Sequence, residues 1–489
     1  MQTMNVHAPS VPDRRPAPGA GSWLGGFQDL TREHGFERLR VTGRLPDELR
    51  GTLYRNGPGR FGIGRERYPH WFDGDGAVCA IRLTGDAAFG AHRLVRTSGL
   101  EREEQSGRRL FGGYGTPLAR PIREGLLGDF KQPANTSVLL WQGRLFATCE
   151  AGKPYELGRG DLSTLGETSL EGTLVGPFSA HPHAVPARGA IYGYGVAHRR
   201  GNSRVDCYVL PSSGLPSRIA SFALEGMRLI HDFAATERHL VFVVAPQYLS
   251  VVDMLLFGGA PVPSAKWRAD RGTEIIVVPI DAPSRARRFR VDAFYLEHVV
   301  NAFDDGDSIA VDYVHYAHPD GLEQFVGGLT GGRVDGPLRS EVRRARIDVD
   351  RETLKSEILL PRTVELPRVS PRVEARSYRF AYSVEFCGKA GSANAGPFGP
   401  LVKHDIDSGR VDTYDPGHDC HLGEGVFVPR RADGSGDEDD GWVLTMVYDA
   451  QTDRSRLEIL DARDVGAGPI AACHFDHPVP FGFHGVFAR

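Results

Sequence analysis

Asp305-Gly-Asp307 running into Ser308-Ile-Ala-Val-Asp-Tyr-Val314 is a turn cluster followed by a short apolar segment, and this pairing recurs through the chain. Leu240-Val-Phe-Val-Val-Ala245, Glu274-Ile-Ile-Val-Val-Pro-Ile280, Trp442-Val-Leu-Thr-Met-Val-Tyr448 and Leu457-Glu-Ile-Leu460 are likewise short, at 4 to 7 residues, with the same enrichment in β-branched, aliphatic and aromatic residues. Asp73-Gly-Asp-Gly76 and Asp433-Gly-Ser-Gly436 read as further turns, the first as a hairpin. Gly (60) and Pro (33) are abundant enough to turn the chain often. Amphipathic helical spacing is scarce, with one such pattern over 337–346. The reading is all-β with many antiparallel strands. At 489 residues a propeller is the natural closed form. No blade shows as a sequence repeat, so this pattern alone leaves a large sandwich or barrel open.

Composition narrows the class of protein. A hydrophobic share of 40% and a charged share of 25% suit a globular chain with a substantial core. The net charge of -4 offers no basic stripe for nucleic acid. The six cysteines are scattered without a C-x-x-C pair, which speaks against a zinc ribbon or a disulfide framework and for a reducing compartment. The N-terminus is polar and Pro-rich without the apolar core of a secretory signal, and no run of 18 apolar residues could span a bilayer. The expectation is a flexible tail over 1–24, a single domain over 25–489, and a cytoplasmic protein, soluble or peripherally membrane-associated, with no evident protein partner. Gly57-Pro-Gly59-Arg-Phe-Gly62 matches a dinucleotide fingerprint formally, but it carries a Pro and no helical pattern follows.

Four histidines sit in distinctive settings: Phe178-Ser-Ala-His181-Pro-His183, His231-Asp-Phe-Ala-Ala-Thr236, Glu297-His298-Val-Val-Asn301-Ala-Phe-Asp304 and Gly482-Phe-His484-Gly-Val-Phe487. Imidazole is a neutral, borderline ligand, so several converging on one point make a site for iron, copper, zinc or nickel. Strand periodicity puts His181 and His183 on one face, and spacing does not choose between them.

These segments, with Gly51-Thr-Leu-Tyr-Arg-Asn-Gly-Pro-Gly59, His70-Trp-Phe-Asp-Gly-Asp-Gly76, Ala134-Asn-Thr-Ser137 and Gly423-Glu-Gly-Val-Phe-Val-Pro-Arg430, resemble the carotenoid cleavage oxygenase family, in order from about residue 25 to the C-terminus. The resemblance implies a seven-bladed β-propeller with a helical and loop cap carrying the substrate tunnel. It implies Fe(2+) on the propeller axis, held by His181, His231, His298 and His484, with His181 chosen by the Ala-His-Pro pattern. It further implies three supporting carboxylates, Glu150 beside His231, Glu365 beside His298 and Glu424 beside His484. Thr136 would border the O2 site. His183 reads as a cavity-edge or core residue, and His239, His315, His318, His418 and His421 as surface or loop residues. Asp304 stands where the family commonly has Glu.

Four neutral imidazoles leave a divalent cation its full charge and two open octahedral positions, whereas a four-His zinc site would be tetrahedral and closed. Cleaving an alkene into two carbonyls uses all four oxidising equivalents of O2, so no reductant is required, consistent with the lack of a nucleotide motif. The implied activity is dioxygenase cleavage of a conjugated C=C bond in an apocarotenoid or carotenoid, foremost 15,15' cleavage to retinal-like products. Stilbene-cleaving members of the family resemble one another in a Lys immediately before the first supporting Glu, and this chain has Cys149 there. That favours an apolar polyene. Stilbene cleavage, retinoid ester isomerisation and a silent binding propeller are the alternatives. The apolar stretch Tyr248 to Pro263, with Leu255 and Phe257, reads as a peripheral membrane contact or a buried cap helix.

Overall fold

A computed structural model describes residues 21–117, 131–256, 260–334, 338–386 and 397–489, without the side chains of 254–256. Seven sheets form a ring. From the axis outward, blade two is Ser137–Trp141, Arg144–Thr148, Tyr155–Leu157 and Thr164–Glu167, and blade three is His183–Val185, Ala190–Arg199, Asn202–Pro211 and Ser217–Leu224. Blade four is Ala234–Ala235, His239–Val244, Thr273–Pro279 and Arg287–Val291. Blade five is Tyr295–Asp305, Ser308–Tyr316, Glu341–Asp348 and Thr353–Leu360, and blade six is Val364–Val369, Phe380–Glu385, Leu401–Asp405 and Val411–Tyr414.

The two remaining blades close the ring with both ends of the chain. Blade one takes Gly485–Ala488 as its innermost strand, against Arg50–Arg60, Asp75–Thr84, Ala88–Leu94 and His34–Arg38. Blade seven runs from Cys420–Pro429 through Gly441–Asp449, Arg454–Asp461 and Pro469–His474 to Arg40–Gly43, a strand from the other end of the sequence. The innermost strands touch their neighbours from blade three round to blade two.

The strands read as continuous apolar runs because each blade is packed on both faces. Trp442 to Tyr448 is buried throughout. One apolar cluster joins Leu53 and Ile81 of blade one to Leu444 and Ile459 of blade seven. Others fill the wedges between blades three and four, four and five, and five and six. Burying both faces doubles the apolar area removed from water per strand, at about 25 cal/mol per Å². The helix Asp320–Leu329, the turn Trp71–Asp73 and a small sheet of Met227–Arg228, Gln247–Leu249 and Ala265–Trp267 make the cap, with Leu322, Phe325 and Trp71 in one cluster with Tyr382 and Phe427 of the blades.

Several expectations are corrected. The helical spacing over 337–346, whose first residue lies outside the described residues, falls from 341 onward in the strand Glu341–Asp348. Val342 packs toward blade six while Ala345 and Ile347 pack toward blade four, so two opposite faces together imitate a helical stripe. Asp73 and Asp75 do not form a hairpin. Asp73 closes a short 3-10 turn and accepts from Tyr114 N at 2.5 Å, and Asp75 opens a blade-one strand. His421 is buried within Cys420–Pro429, with its Nε2 3.1 Å from Ser22 Oγ. Trp23, within the segment 1–24 expected to be a flexible tail, is buried and its Nε1 donates to Leu329 O at 3.2 Å, while residues 1–20 lie outside the described residues. No helix among the described residues is long and apolar enough to cross a membrane. Cys79, Cys149, Cys207, Cys420 and Cys473 are unpaired, and Cys387 lies outside the described residues.

The C-terminal clasp carries a ladder whose hydrogen bonds are each worth about 1 kcal/mol net. A chain ending at His484 is expected to lose about 3 kcal/mol and to melt at a lower temperature by circular dichroism. An unchanged midpoint would show that the ring closes without that strand.

Candidate metal centre

Each blade sends at least one polar side chain to the axis. Blade one gives His484, blade two Glu150, blade three His181, blade four His231, blade five His298, blade six Glu365 and blade seven Glu424. Three of these positions rest on bulges within their strands. Leu296 pairs His315 and Val299 pairs Tyr313, so one extra residue is inserted around His298. Glu365 pairs Val384 and Arg368 pairs Tyr382, which inserts one beside Glu365, with Leu366 at φ 54°. Leu422 pairs Val447 and Gly425 pairs Thr445, which inserts one at Gly423 and Glu424. A bulge bends the strand and re-aims its side chains. Here the re-aimed groups face the axis.

The histidine nitrogens cluster. One ligand atom each from His181, His298 and His484 lies within 4.8 Å of the others, and Glu150, His181 and His231 form a second such group. His231 Nε2 is 3.3 Å from His298 Nε2, and the His181 ring centroid is 4.3 Å from that of His231 and 4.6 Å from that of His484.

Carboxylates hold the outer nitrogens. His298 Nδ1 donates to Glu365 Oε2 at 2.6 Å and His484 Nδ1 to Glu424 Oε1 at 2.9 Å, while His231 Nδ1 is 3.1 Å from Glu150 Oε1. Fixing the proton on Nδ1 leaves the Nε2 lone pair for a cation. The carboxylates are themselves held. Tyr316 OH donates to Glu365 Oε1, and Gly485 N donates to Glu424 Oε2 at 2.8 Å. Burial would raise the Glu424 pKa, but Arg368, His484 and Arg55 outweigh it and bring the carboxyl down to about 2. Burial, reinforced by the neighbouring imidazoles, holds His181 neutral well below the usual histidine range. Burial likewise lowers His484, while Glu365 overcomes it at His298 and Glu297 and Glu150 overcome it at His231, raising that group to about 10.

Thr136 lines the cavity above the histidines, and its carbonyl accepts from His484 N at 3.3 Å. Asn56 Nδ2 donates to Ala134 O at 2.9 Å and to Ser137 O at 2.8 Å, and Asn135 Nδ2 donates to Phe72 O and Gly74 O at 2.8 Å. These bonds pin the Ala134-Asn-Thr turn. His183 is not in the cluster. Its Nε2 is 2.9 Å from Asp232 Oδ1, and it lines a separate cavity below the histidines. Asp304 pairs with His239 Nδ1 at 2.7 Å, away from the axis.

Sequence reasoning missed Glu297, Asp232, Tyr316 and Arg55. Glu297 and Asp232 directly adjoin His298 and His231, and regular strand alternation would send them to the opposite face. Arg55 Nη1 donates to Glu424 O at 2.9 Å and Nη2 to Phe483 O at 3.2 Å, contacts between the two ends of the chain that no local pattern reveals.

The donor set fits a divalent cation. His181 Nε2 is buried with no hydrogen-bond partner, and such an orphan costs about 1–3 kcal/mol that a bound cation would relieve. His298→Ala is expected to remove stoichiometric metal after dialysis, whereas Glu424→Gln should weaken affinity by about 10 to 100-fold. Metal analysis and chelator competition read both, and retained metal in His298→Ala would defeat the assignment.

A family model described as retinal pigment epithelial membrane protein matches residues 27–489. The apocarotenoid-15,15'-oxygenase of Synechocystis sp. is 31% identical over 488 residues, covering 96% of this chain and 96% of that protein. The carotenoid cleavage oxygenase of Mycobacterium tuberculosis is 28% identical over 496 residues, covering 92% of this chain and 94% of its own. The crystal structure of cobalt-substituted Synechocystis ACO matches with a TM-score of 0.87 at 30% identity, over 96% of this chain and 98% of that one. A full-length family match and the axial cluster of histidines agree, and the chain belongs to the retinal pigment epithelial membrane protein family as an enzyme of the carotenoid cleavage oxygenase type.

Proposed function

We propose that this protein is a non-haem Fe(II) dioxygenase that cleaves a conjugated C=C bond of an apocarotenoid with O2, at the 15,15' position, giving two carbonyl products. The observation that carries the reading is that His231, His298 and His484 form part of the wall of a cavity of about 340 Å³ whose other walls are largely apolar. When bound, Fe(II) supplies a site where O2 is activated beside the substrate. The protein's own groups do the rest. Trp71, Phe72, Leu322, Val326, Phe386 and Phe483 offer a polyene an apolar wall and keep water out. Cys149 lines the same cavity, and burial, followed by the nearby Glu150, pushes its thiol up to about 12. It stays neutral and cannot grip a phenolate. Thr136 stands at the cavity wall and narrows what can lie against the centre.

One observation favours a second reading, stilbene cleavage. Tyr114 lines the cavity, its hydroxyl donates to Glu323 Oε1 at 2.8 Å, and burial pushes Glu323 up to about 7. The Tyr114 hydroxyl at the cavity wall, backed by Glu323, suits a substrate hydroxyl.

Protein loaded anaerobically with Fe(II), then given air and a detergent-solubilised apocarotenal, is expected to consume one O2 per alkene and release retinal-length aldehydes, seen by mass spectrometry. Hydroxybenzaldehydes from resveratrol alone would replace the first reading with the second. Conversion of a retinyl ester without oxygen uptake would overturn both.

We also propose peripheral membrane contact through about 248–263. In the helix Val251–Leu256, Val251 is 44% and Val252 66% exposed, and Leu249 and Pro261 at either end line the cavity. Exposed valines in a segment whose flanking residues line the cavity would let a water-insoluble substrate enter from lipid. The Leu255 side chain and Phe257 lie outside the described residues. Val251→Ser with Val252→Ser should lower sedimentation with phosphatidylcholine vesicles several-fold at unchanged metal content. Equal sedimentation would count against the contact.

A further inference from the structure

The chain crosses from blade one to blade seven at Arg38-Leu39-Arg40, and a cleft of about 500 Å³ lies at the crossing, away from the axis. Five arginines line it against three carboxylates. Arg32 is taken up by Glu37 at 3.0 and 2.9 Å and lies 3.4 Å from Asp476, while Arg456 lies 2.7 Å from Glu458 and 3.6 Å from Asp449. The other three, Arg38, Arg40 and Arg454, are exposed and have no ion-pair partner among the described residues. The fold also sets basic groups side by side. Arg40 pairs with His474, and His474 with Arg456, across three strands of blade seven, and like charges facing one another across a ladder weaken it. Burial, followed by Arg40 and Arg456, holds His474 below the usual histidine range.

The wall of the cleft holds two buried acceptors as well. His34 is 7% and His477 8% exposed, and their rings meet edge to face with centroids 5.1 Å apart. His34 Nδ1 donates to Gly35 O at 2.9 Å and His477 Nδ1 to Asp476 Oδ1 at 2.7 Å, which leaves each Nε2 a bare lone pair. Neither Nε2 has a hydrogen-bond partner. An acceptor buried unpaired is costly, so these nitrogens call for a ligand that brings a donor. The unpaired guanidiniums call for an oxyanion.

We propose that this cleft binds a phosphate group that keeps one proton, either hydrogen phosphate or the phosphomonoester headgroup of a lipid. Its ionised oxygens accept from guanidiniums of both blades, Arg38 from blade one and Arg40 and Arg454 from blade seven. Its P-OH donates to the Nε2 of His34 or His477. Sulfate matches a phosphate dianion in shape and charge but has no proton to give near neutral pH. Arginines alone would take either anion, and the imidazoles select phosphate. Because the bound group bridges blades one and seven, it also stabilises the folded ring.

Calorimetric titration of the whole protein with inorganic phosphate and with sulfate, at pH 7 in chloride buffer, tests the site. Phosphatidylcholine vesicles carrying either phosphatidic acid, a monoester, or phosphatidylglycerol, a diester without a P-OH, separate a lipid source from a free one. The wild type is expected to bind phosphate about tenfold or more tightly than sulfate, and Arg40→Gln with Arg454→Gln to weaken phosphate about tenfold or more at unchanged metal content. Phosphate should raise the melting temperature of the wild type and leave that of the double variant. If the source is lipid, phosphatidic acid should sediment the wild type in preference to phosphatidylglycerol, and the double variant should lose that preference. The inference is overturned if the wild type prefers neither phosphate to sulfate nor phosphatidic acid to phosphatidylglycerol, or if a folded double variant keeps the wild-type preference. The two anion comparisons need no variant, so they decide even where a variant does not fold.

Discussion

Closure of seven sheets about one axis is the constraint on which the rest depends. A blade cannot bury both faces alone, and a ring gives every blade two neighbours. The same closure forces the innermost strands to converge, so that residues as distant in sequence as His181 and His484 become neighbours. The axis is the one place where all blades can contribute to a single site. The clasp that closes blade one begins at Gly485, immediately after His484, so fixing the ring also fixes a site histidine.

Convergence alone leaves the side chains pointing by strand alternation, and the bulges redirect them. Glu365, Glu424 and the Glu297-His298 pair all sit where one strand has an extra residue against its partner. Such bulges weaken the local ladder, and other bonds hold them. Arg55 reaches from blade one to the carbonyls of Glu424 and Phe483, and Asp232 accepts from Val299 N at 2.7 Å beside the blade-five bulge. The buried carboxylates are tolerable because each meets an imidazole, a hydroxyl, an amide or a guanidinium. Removing one partner would strand a charge and cost more than the bond itself is worth.

Much of this was legible in the sequence, and the remainder failed for definite reasons. Short apolar runs between turns gave the strand content, because blades packed on both faces need little polar alternation. The four histidine segments stood out since each combines a rare residue with a distinctive setting, and the three supporting glutamates came only with the family resemblance. Glu297 was hidden because reading a strand assumes a period of two, which the blade-five bulge breaks, and Asp232 because it lies in an irregular segment before the strand Ala234–Ala235, where no period applies. The helix expected over 337–346 failed for a related reason, since Val342 and Ala345 face different neighbours and their spacing of three records two packing surfaces. His421 was taken for a surface residue because a lone histidine carries no sign of burial.

A second polar arrangement lies beside the cavity, and it bears on how the substrate space is kept open. Lys131 Nζ lies 2.6 Å from Asp75 Oδ1 and 2.5 Å from Glu103 Oε2, with all three side chains buried, and Tyr68 OH donates to Glu103 at 2.7 Å. Lys131 and Tyr68 also line the cavity. One cation facing two carboxylates is under-compensated, and burial, only partly offset by Lys131, pushes Asp75 up to about 6. Hydrophobic collapse would fill an empty apolar space lined only by Leu, Val and Phe. A buried ionic cluster in its wall resists that collapse, because closing the space would pull charged groups from the partners that make their burial tolerable. The polar wall and the apolar lining therefore act together, one holding the cavity open and the other choosing what enters it.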